Sequence, residues 1–349
     1  MRAKISGLKV SAISSCVPKD KLDLFSLIDD FGESEVNKII NTTGIRSIRQ
    51  VNKTTTTSDL CYLSSKKILE LNNLSVNEID GLIFVSQTAD YKLPQTSHIL
   101  QSQLGLKEDT ICYDLPIGCN GYIYGLFQAA LLIQSSACKK VLVLSGDTTT
   151  KIINDKDRAV KMVFGDGGSS TLIEKGDDDM SFIIYSDGEK YQDLIIKSGG
   201  SRFPFSTSEN ELITDLDGNS RTNSDLFMDG MSIFNFAIKR VPSLIDEILA
   251  YNDWDKESVD LFALHQANKF MIDYLRKKTK ISFDKMPVVV DGFGNTGPAT
   301  IPILLTETLN DDNISIYKKV ILCGFGVGLS WGAVSCDLSK TKIIKTLEF

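Results

Sequence analysis

Apolar runs along the chain alternate with segments of helical periodicity. The runs at 141–144, 261–264 and 320–322 contain no polar position, which is typical of strands buried on both faces. Helical patterns fall between these runs. Alternating strands and helices predict parallel-rich sheets covered by helices, which is the α/β class of fold.

The second half of the chain repeats the pattern of the first half. Three segments recur in the same order, each an apolar strand or a turn that leads into a helix. The matching pairs are 76–90 with 256–270, 113–132 with 290–309, and 139–147 with 318–326. This repeat predicts two similar units with pseudo-twofold symmetry, residues 1–175 and 176–349, and a site where corresponding strand ends meet.

Composition excludes some classes of function. The chain has 349 residues, 42% hydrophobic and 24% charged, which is typical of a globular protein. A net charge of −7 disfavours a nucleic-acid-binding surface. Seven scattered cysteines without a Cys-x-x-Cys pair disfavour disulfides and zinc and favour a reducing cytoplasm. Because no apolar stretch is long enough to span a bilayer, we expect a cytoplasmic protein without a membrane partner.

Cys119 is the candidate nucleophile. A predicted strand, Ile111–Leu115, is followed by a short turn and by a helical pattern from Asn120 onward. The thiol is therefore expected at the start of a buried helix, where the helix dipole and free N–H groups stabilise a thiolate or an oxyanion. An inert buried thiol is the ordinary alternative for any single cysteine.

The chain contains only two histidines, His98 and His265. His98 falls in a predicted helix, Thr96–Leu104, and is interpreted as structural. His265 follows the apolar strand Leu261–Leu264 and begins a polar tip, His-Gln-Ala-Asn. A histidine at a strand end is a candidate for catalysis, although a lone histidine is more often structural.

The stretch 292–297, Gly-Phe-Gly-Asn-Thr-Gly, matches the dinucleotide-binding fingerprint letter by letter. It follows a predicted strand at 287–290 and precedes a helix that Pro298 suits as a first-turn residue. No acidic residue ends the next strand, as ribose binding would require. We therefore interpret the stretch as a tight turn that presents the Asn295 amide.

Two further glycine clusters lie at 324–328 and 164–168. The first follows a predicted strand, and its Val327 N–H is a candidate for an oxyanion hole together with the N–H of Cys119. The second lacks the Gly-Lys-Ser/Thr of a phosphate-binding loop and is interpreted as a structural turn.

Taken together and in order, the motifs resemble the β-ketoacyl-[acyl-carrier-protein] synthase III family of the thiolase superfamily over nearly the whole chain. The motifs are Thr43-Gly-Ile-Arg46, Gly118-Cys119-Asn-Gly121, Asp157-Arg158, Phe164-Gly-Asp-Gly167, Met228-Asp-Gly230, His265-Gln-Ala-Asn268, Gly294-Asn295-Thr296 and Gly326-Val-Gly328-Leu-Ser-Trp331-Gly332. The resemblance implies a five-layered αβαβα thiolase fold and a homodimer. It also implies a role in fatty acid biosynthesis without a cofactor or metal, since thioesters of coenzyme A (CoA) and acyl carrier protein (ACP) are the substrates.

The resemblance also implies a two-step reaction. Cys119 would take an acyl group from an acyl-CoA or acyl-ACP, and malonyl-ACP would then lose CO2. His265 and Asn295 would donate hydrogen bonds to the malonyl thioester oxygen as the enolate forms. The N–H groups of Cys119 and Val327 would hold the oxyanion when the carbanion attacks the acyl group.

Three residues are expected to contact substrate by the same resemblance. Arg158 matches an arginine that contacts the CoA nucleotide, and Asn268 belongs to the His-Gln-Ala-Asn motif. Leu93 stands where a phenylalanine of the partner subunit often shapes the acyl pocket.

Other positions depart from the family pattern. Lys38 and Thr42 replace a tryptophan and an arginine that clamp CoA, and Lys269-Phe270 replaces the arginine that docks the carrier protein. Val327 replaces the middle glycine of the last cluster. We therefore expect a specialised member, in secondary metabolism or surface-glycan acyl chemistry.

Three alternatives remain at this point. An acyltransferase could pass the acyl group from Cys119 to an alcohol or amine, but retention of His265 and Asn295 favours condensation. A cysteine hydrolase shares the order Cys, His, Asn, but lacks the Cys-Gly-Ser-Cys-Trp signature and gives the repeat no purpose. A non-catalytic partner subunit is disfavoured because such subunits usually lose the cysteine.

Overall fold

A computed structural model describes residues 1–206 and 210–349, in which strands and helices alternate as the apolar pattern predicts. The strands of this part are β1 (Arg2–Val17), β2 (Lys21–Asp23), β3 (Ser47–Arg49), β4 (Gly81–Val85), β5 (Ile111–Leu115), β6 (Lys140–Thr148), β7 (Asp166–Lys175), β8 (Asp178–Ser186), β9 (Leu194–Ile195), β10 (Ile213–Thr214), β11 (Ser220–Arg221), β12 (Phe227–Met228), β13 (Leu261–Leu264), β14 (Val320–Gly326), β15 (Ser330–Cys336) and β16 (Lys342–Glu348). The α-helices are α1 (Ile28–Phe31), α2 (Glu33–Thr43), α3 (Thr57–Leu71), α4 (Thr96–Leu104), α5 (Gly121–Gln134), α6 (Arg158–Lys161), α7 (Gly230–Asn252), α8 (Lys269–Thr279) and α9 (Thr300–Thr308).

The central strands form one continuous mixed sheet in the order β13-β14-β15-β8-β1-β7-β6-β4-β5, with β16 parallel to β1. Strand β4 is parallel to β5 and β6, and β13 is parallel to β14. The long strand β1 joins the halves, because its first residues pair with β8 and its later residues pair with β7. The predicted α/β class is confirmed.

Helices lie in three layers around the two halves of the sheet. Alternate residues of β4 show why: Ile83 and Val85 face a central core shared with α5 and α9, while Leu82 and Phe84 face an outer core with α3 and α4. On the opposite side, α7 and α8 cover the outer face of β13 and β14. The resulting helix–sheet–helix–sheet–helix order confirms the expected five-layered architecture.

The repeat is visible in matching hydrogen bonds. Asp80, just before β4, accepts hydrogen bonds from two successive backbone N–H groups at the start of β6, at 2.8 and 3.1 Å. Asp260, just before β13, accepts from the two N–H groups that directly precede β14, at 2.9 and 2.8 Å. The predicted pseudo-twofold relation is confirmed. The division at residues 175 and 176 falls between β7 and β8 and stays a prediction as a domain boundary.

The second half departs from the repeat at its outer edge. Residues 287–290 were expected to form a strand, and this prediction is wrong, because they join no ladder. The outer edge of β13 instead makes a backbone hydrogen bond just before this segment, from the Phe262 N–H to the Lys285 carbonyl at 2.7 Å. The segment begins with a proline, which has no N–H for a ladder, and Val289 donates its N–H to a glutamine side chain.

The predicted turn at 164–168 is wrong in its second part, because β7 already begins at Asp166. The glycines allow the helices to pack closely against the strand. A Cβ atom on Gly168 would lie 2.7 Å from the Cβ of Leu60, and one on Gly167 would lie 2.9 Å from Ile303. Larger residues here would push α3 and α9 away from the sheet.

Candidate active site

Cys119 lies in the turn between β5 and α5, as predicted from the sequence, and is 8% exposed. The backbone N–H groups of Val327 and of Cys119 itself donate hydrogen bonds to the sulfur. Gly326 allows this approach, because a Cβ atom there would lie 2.9 Å from Sγ. The structure thus brings the two N–H groups predicted for an oxyanion hole to one sulfur atom.

The thiol of Cys119 is protonated at neutral pH. Burial raises the pKa of this thiol to about 12, and the nearby charge of Asp147 also raises it. The hydrogen bonds from the two N–H groups lower the pKa by less. The two N–H groups therefore favour the thiolate, but burial outweighs them in the free protein.

His265 directly follows β13 and is 2% exposed. Its backbone N–H donates to the Cys323 carbonyl at 2.8 Å, and Phe325 lies edge-on to its ring at 5.4 Å between centroids. The ring nitrogen Nδ1 lies 2.6 Å from Oγ1 of Thr300. Burial lowers the pKa of the imidazole to about 3, so the ring is neutral at pH 7 and carries one N–H.

Asn295 lies in the turn that leads into the short 3-10 helix Gly297–Ala299 and then α9. Its Oδ1 accepts a hydrogen bond from the Gly297 N–H at 3.1 Å, which leaves the amide NH2 as its free donor. Gly297 has a φ of +61°, and a Cβ atom there would lie 2.5 Å from Oδ2 of Asp147. Only glycine satisfies both constraints.

Cys119, His265 and Asn295 line one cavity of about 70 Å³, which confirms the predicted convergence of the three side chains. Apolar side chains form much of the wall, namely Phe164, Met228, Ile233, Met271 and Phe325. A low-polarity wall strengthens hydrogen bonds to any negative charge that develops inside.

A second cavity, of about 170 Å³, also reaches Cys119. Its wall is largely aliphatic and includes Ile152, Leu194, Ile195, Ile196 and Leu226. Gln87 and Asp147 are polar members of the same wall. Cys119 therefore lines two cavities, one shared with the imidazole and the carboxamide and one suited to an aliphatic chain.

Asp147 was not singled out from the sequence. It lies near the end of β6, is 4% exposed, and its Oδ1 accepts from Ser86 Oγ at 2.9 Å and from the Gln87 N–H at 2.7 Å. Burial raises the pKa of its carboxyl to about 7. The repeat nevertheless indicated that Asp147 lies near the site, because it pairs Asp147 with Gly326, which packs against the sulfur.

The three expected substrate contacts lie in different places. Asn268 lines the smaller cavity, and its Oδ1 caps α8 by accepting the Met271 N–H at 2.8 Å. Arg158 lies outside both cavities and forms an ion pair of 3.7 Å with Glu35. Leu93 is also outside them and is 82% exposed.

Within residues 1–206 and 210–349, no three His, Cys, Asp or Glu side chains are grouped closely enough to hold a metal ion. The described helices include none with the length and apolar character needed to cross a membrane.

The duplicated five-layered fold, with a thiol, an imidazole and a carboxamide at one cavity, defines a thiolase-like acyltransferase. A family model described as 3-oxoacyl-[acyl-carrier-protein (ACP)] synthase III matches residues 113–188, and the model of its C-terminal part matches 249–338. The chain belongs to this family, as its motifs indicated.

Individual relatives match over nearly the whole chain. The β-ketoacyl-[acyl-carrier-protein] synthase III of Streptococcus mutans is 34% identical, over 95% of this chain and 98% of the relative. That of Streptococcus agalactiae is 32% identical, also over 95% and 98%. The crystal structure of a 3-oxoacyl-(acyl-carrier protein) synthase from Burkholderia xenovorans has a TM-score of 0.93 at 35% identity and covers 100% of this chain and 99% of that chain.

Proposed function

We propose that the protein transfers an acyl group from a CoA or ACP thioester to Cys119 and condenses it with malonyl-ACP, with loss of CO2. One observation carries the proposal: Cys119 lines both the aliphatic cavity and the cavity that His265 and Asn295 line. The first suits the acyl chain, and the second suits the malonyl thioester.

In the first step, the Cys119 sulfur attacks the thioester carbonyl and loses its proton, and the carrier leaves as a thiol. The Val327 and Cys119 N–H groups are the proposed oxyanion hole, since both donate hydrogen bonds to the Cys119 sulfur. The aliphatic wall around Leu194 and Leu226 favours an apolar acyl chain by burying its surface.

In the second step, malonyl-ACP loses CO2, and the electron pair of the broken bond forms an enolate. The proposed donors to the enolate oxygen are the His265 ring and the Asn295 NH2 group. Because burial keeps the ring neutral by lowering its pKa to about 3, it acts as a hydrogen-bond donor and not as a cation. The enolate carbon then attacks the acyl group and frees Cys119.

Mass spectrometry of the intact protein tests the first step after incubation with a panel of acyl-CoA and acyl-ACP thioesters. We expect one acyl mass on Cys119 and no added mass on a Cys119→Ala variant. CO2 release from malonyl-ACP tests the second step and should require an acyl donor. His265→Ala and Asn295→Ala should still load the acyl group but lose CO2 release by about 100-fold or more.

Two outcomes would contradict parts of this proposal. Unchanged turnover by Cys119→Ala would exclude the covalent intermediate. Acyl loading followed by transfer to an alcohol or amine, without CO2 release, would favour the alternative acyltransferase. The reaction as written needs no cofactor, because the thioester bond and the loss of CO2 supply the driving force.

The proposed assembly is a homodimer that forms through β5. This strand is last in the sheet order, and among the described residues no strand pairs with its outer edge. Leu93 and Tyr91, in the loop before α4, are 82% and 65% exposed. Their exposure supports the expectation that residue 93 reaches the acyl cavity of a partner subunit.

The proposed setting is the cytoplasm, in a specialised pathway. All seven cysteines are free thiols, as a reducing compartment favours. Arg158, the expected CoA contact, forms an ion pair with Glu35, and Lys38 lies on the same helix as Glu35, α2. This mixed-charge surface differs from a tryptophan and arginine clamp, which supports a donor other than that of the main fatty-acid initiator.

A further inference from the structure

One nitrogen of the His265 ring is engaged with a neighbouring hydroxyl, and the residue lines the smaller cavity. Nδ1 lies 2.6 Å from Oγ1 of Thr300. In the part of the chain that the structure describes, the ring has no other hydrogen-bond partner, so Nε2 is left for a ligand. Thr300 is itself 2% exposed, and water does not compete freely for its hydroxyl.

A neutral imidazole has a single N–H, on either Nδ1 or Nε2. Burial keeps this ring neutral over the physiological range by lowering its pKa. Nε2 can donate to an enolate oxygen only if it carries that hydrogen, in which case Nδ1 must accept a hydrogen bond. The neighbour of Nδ1 therefore decides whether His265 can act as a donor.

The hydroxyl of Thr300 has one hydrogen and two acceptors within reach. Besides Nδ1, the Gly297 carbonyl lies 3.0 Å from Oγ1. Donation to Nδ1 leaves the hydrogen of the ring on Nε2, whereas donation to the carbonyl requires a hydrogen on Nδ1. The contact with Nδ1 is the shorter one at 2.6 Å, which favours donation to the ring.

We propose that Thr300 is a positioning residue that holds His265 in the tautomer with its hydrogen on Nε2. This inference rests on the proposed role of His265 in the decarboxylation step. The same turn also orients the second donor, since the Gly297 N–H fixes Oδ1 of Asn295. Residues 295–300 thus hold one group of each proposed donor, and both donor residues line the same cavity.

Nuclear magnetic resonance of protein labelled with ¹⁵N-histidine tests the tautomer directly. The chain has only two histidines, so His98→Gln identifies the His265 signals. In the unaltered protein we expect an N–H at Nε2 and a bare nitrogen at Nδ1. Thr300→Ser should retain this pattern, whereas Thr300→Val should give a mixture of tautomers.

Kinetics separate positioning from folding. Thr300→Val should load the acyl group within about twofold of the parent, but release CO2 about 10- to 100-fold more slowly, as expected when a histidine loses its supporting partner. Thr300→Ser should restore CO2 release to within about threefold.

A hydrogen on Nδ1 in the unaltered protein would overturn the proposal, whatever the variants do. So would a Thr300→Val protein that keeps the Nε2 hydrogen and full CO2 release. Failure of the proposed function is a separate result, because an absence of acyl-dependent CO2 release in the parent leaves the tautomer measurement intact.

Discussion

At the scale of single residues, a buried carboxylate adds to the effect of burial on the ionisation of the nucleophile. Asp147 and Cys119 line the same cavity. Burial is the larger cause of the raised pKa of the thiol, and the charge of the carboxylate raises it further. The pKa of Asp147 is itself raised by burial to about 7. At the high pH where the thiol titrates, Asp147 is therefore ionised and opposes formation of the thiolate.

Replacing Asp147 with asparagine should lower the pKa of Cys119. The amide removes the negative charge but can still accept the hydrogen bonds of the 86–88 loop. We expect the midpoint of iodoacetamide labelling at Cys119, followed by mass spectrometry over pH, to move down by about one pH unit. The matched control is Asp166→Asn, which changes another buried carboxyl that is not among the causes of the Cys119 shift. An unchanged midpoint in Asp147→Asn would contradict this view.

The sequence predicted the residues that lie in recognisable local settings. Cys119, His265 and Asn295 each follow a strand or turn whose pattern is visible in the chain. Asp147 and Thr300 were missed because their importance arises from long-range contacts: Asp147 packs against Gly297, and Thr300 lies beside a ring 35 positions earlier. Local patterns carry no information on such distances.

At the scale of elements, a proline within α7 creates a contact that holds α8. Pro242 has no N–H to donate to the carbonyl four residues earlier. That carbonyl, of Ile238, instead accepts a hydrogen bond from Lys278 Nζ on α8 at 2.9 Å. This bond therefore links the last turn of α8 to α7.

A double-mutant cycle of Pro242→Ala and Lys278→Met tests this coupling. Lys278→Met should lower the free energy of unfolding by about 0.5–1 kcal/mol in the parent, because the Ile238 carbonyl loses its partner. The cost should be smaller in Pro242→Ala, where the alanine N–H satisfies the carbonyl. Urea denaturation measures both, with Lys277→Met as the control. Equal costs in the two backgrounds would show that the bond is not coupled to the proline.

Elements were predicted well where the apolar pattern and the repeat agreed. Strands β4, β5, β6, β13 and β14 and helices α4 and α5 all lie where they were expected. The segment 287–290 was predicted as a strand because it is an apolar run. An apolar run shows burial, but it does not show whether a partner strand is present for its backbone groups.

At the scale of the whole molecule, the two halves are tied together by strands that cross between them. β1 pairs with strands of both halves, and β16 from the end of the chain pairs in parallel with β1 of the first half. The repeat predicted two similar units, but it could not show this exchange, since β1 and β16 have no marked repeat in the sequence. Each half therefore depends on the other for part of its sheet.

The proposed dimer depends on the free edge of β5. Removing one backbone N–H group from this edge tests the proposal. The Ile111 N–H donates to the Asp80 carbonyl at 2.9 Å, so the N–H of Cys112, next along the strand, faces away from β4. Cys112→Pro removes this outward N–H while leaving the bonds to β4 in place, and proline is tolerated at such edge positions. Cys112→Val, which keeps the N–H, is the matched control.

Analytical ultracentrifugation should find dimers for the parent and Cys112→Val, and monomers for Cys112→Pro. The monomer should also load acyl groups more slowly, because Leu93 can no longer reach the acyl cavity of a partner. Circular dichroism checks that the variant is folded. A folded Cys112→Pro protein that remains dimeric at the same concentration would show that the subunits associate through another surface, and the exposed Leu93 loop would then need a different partner.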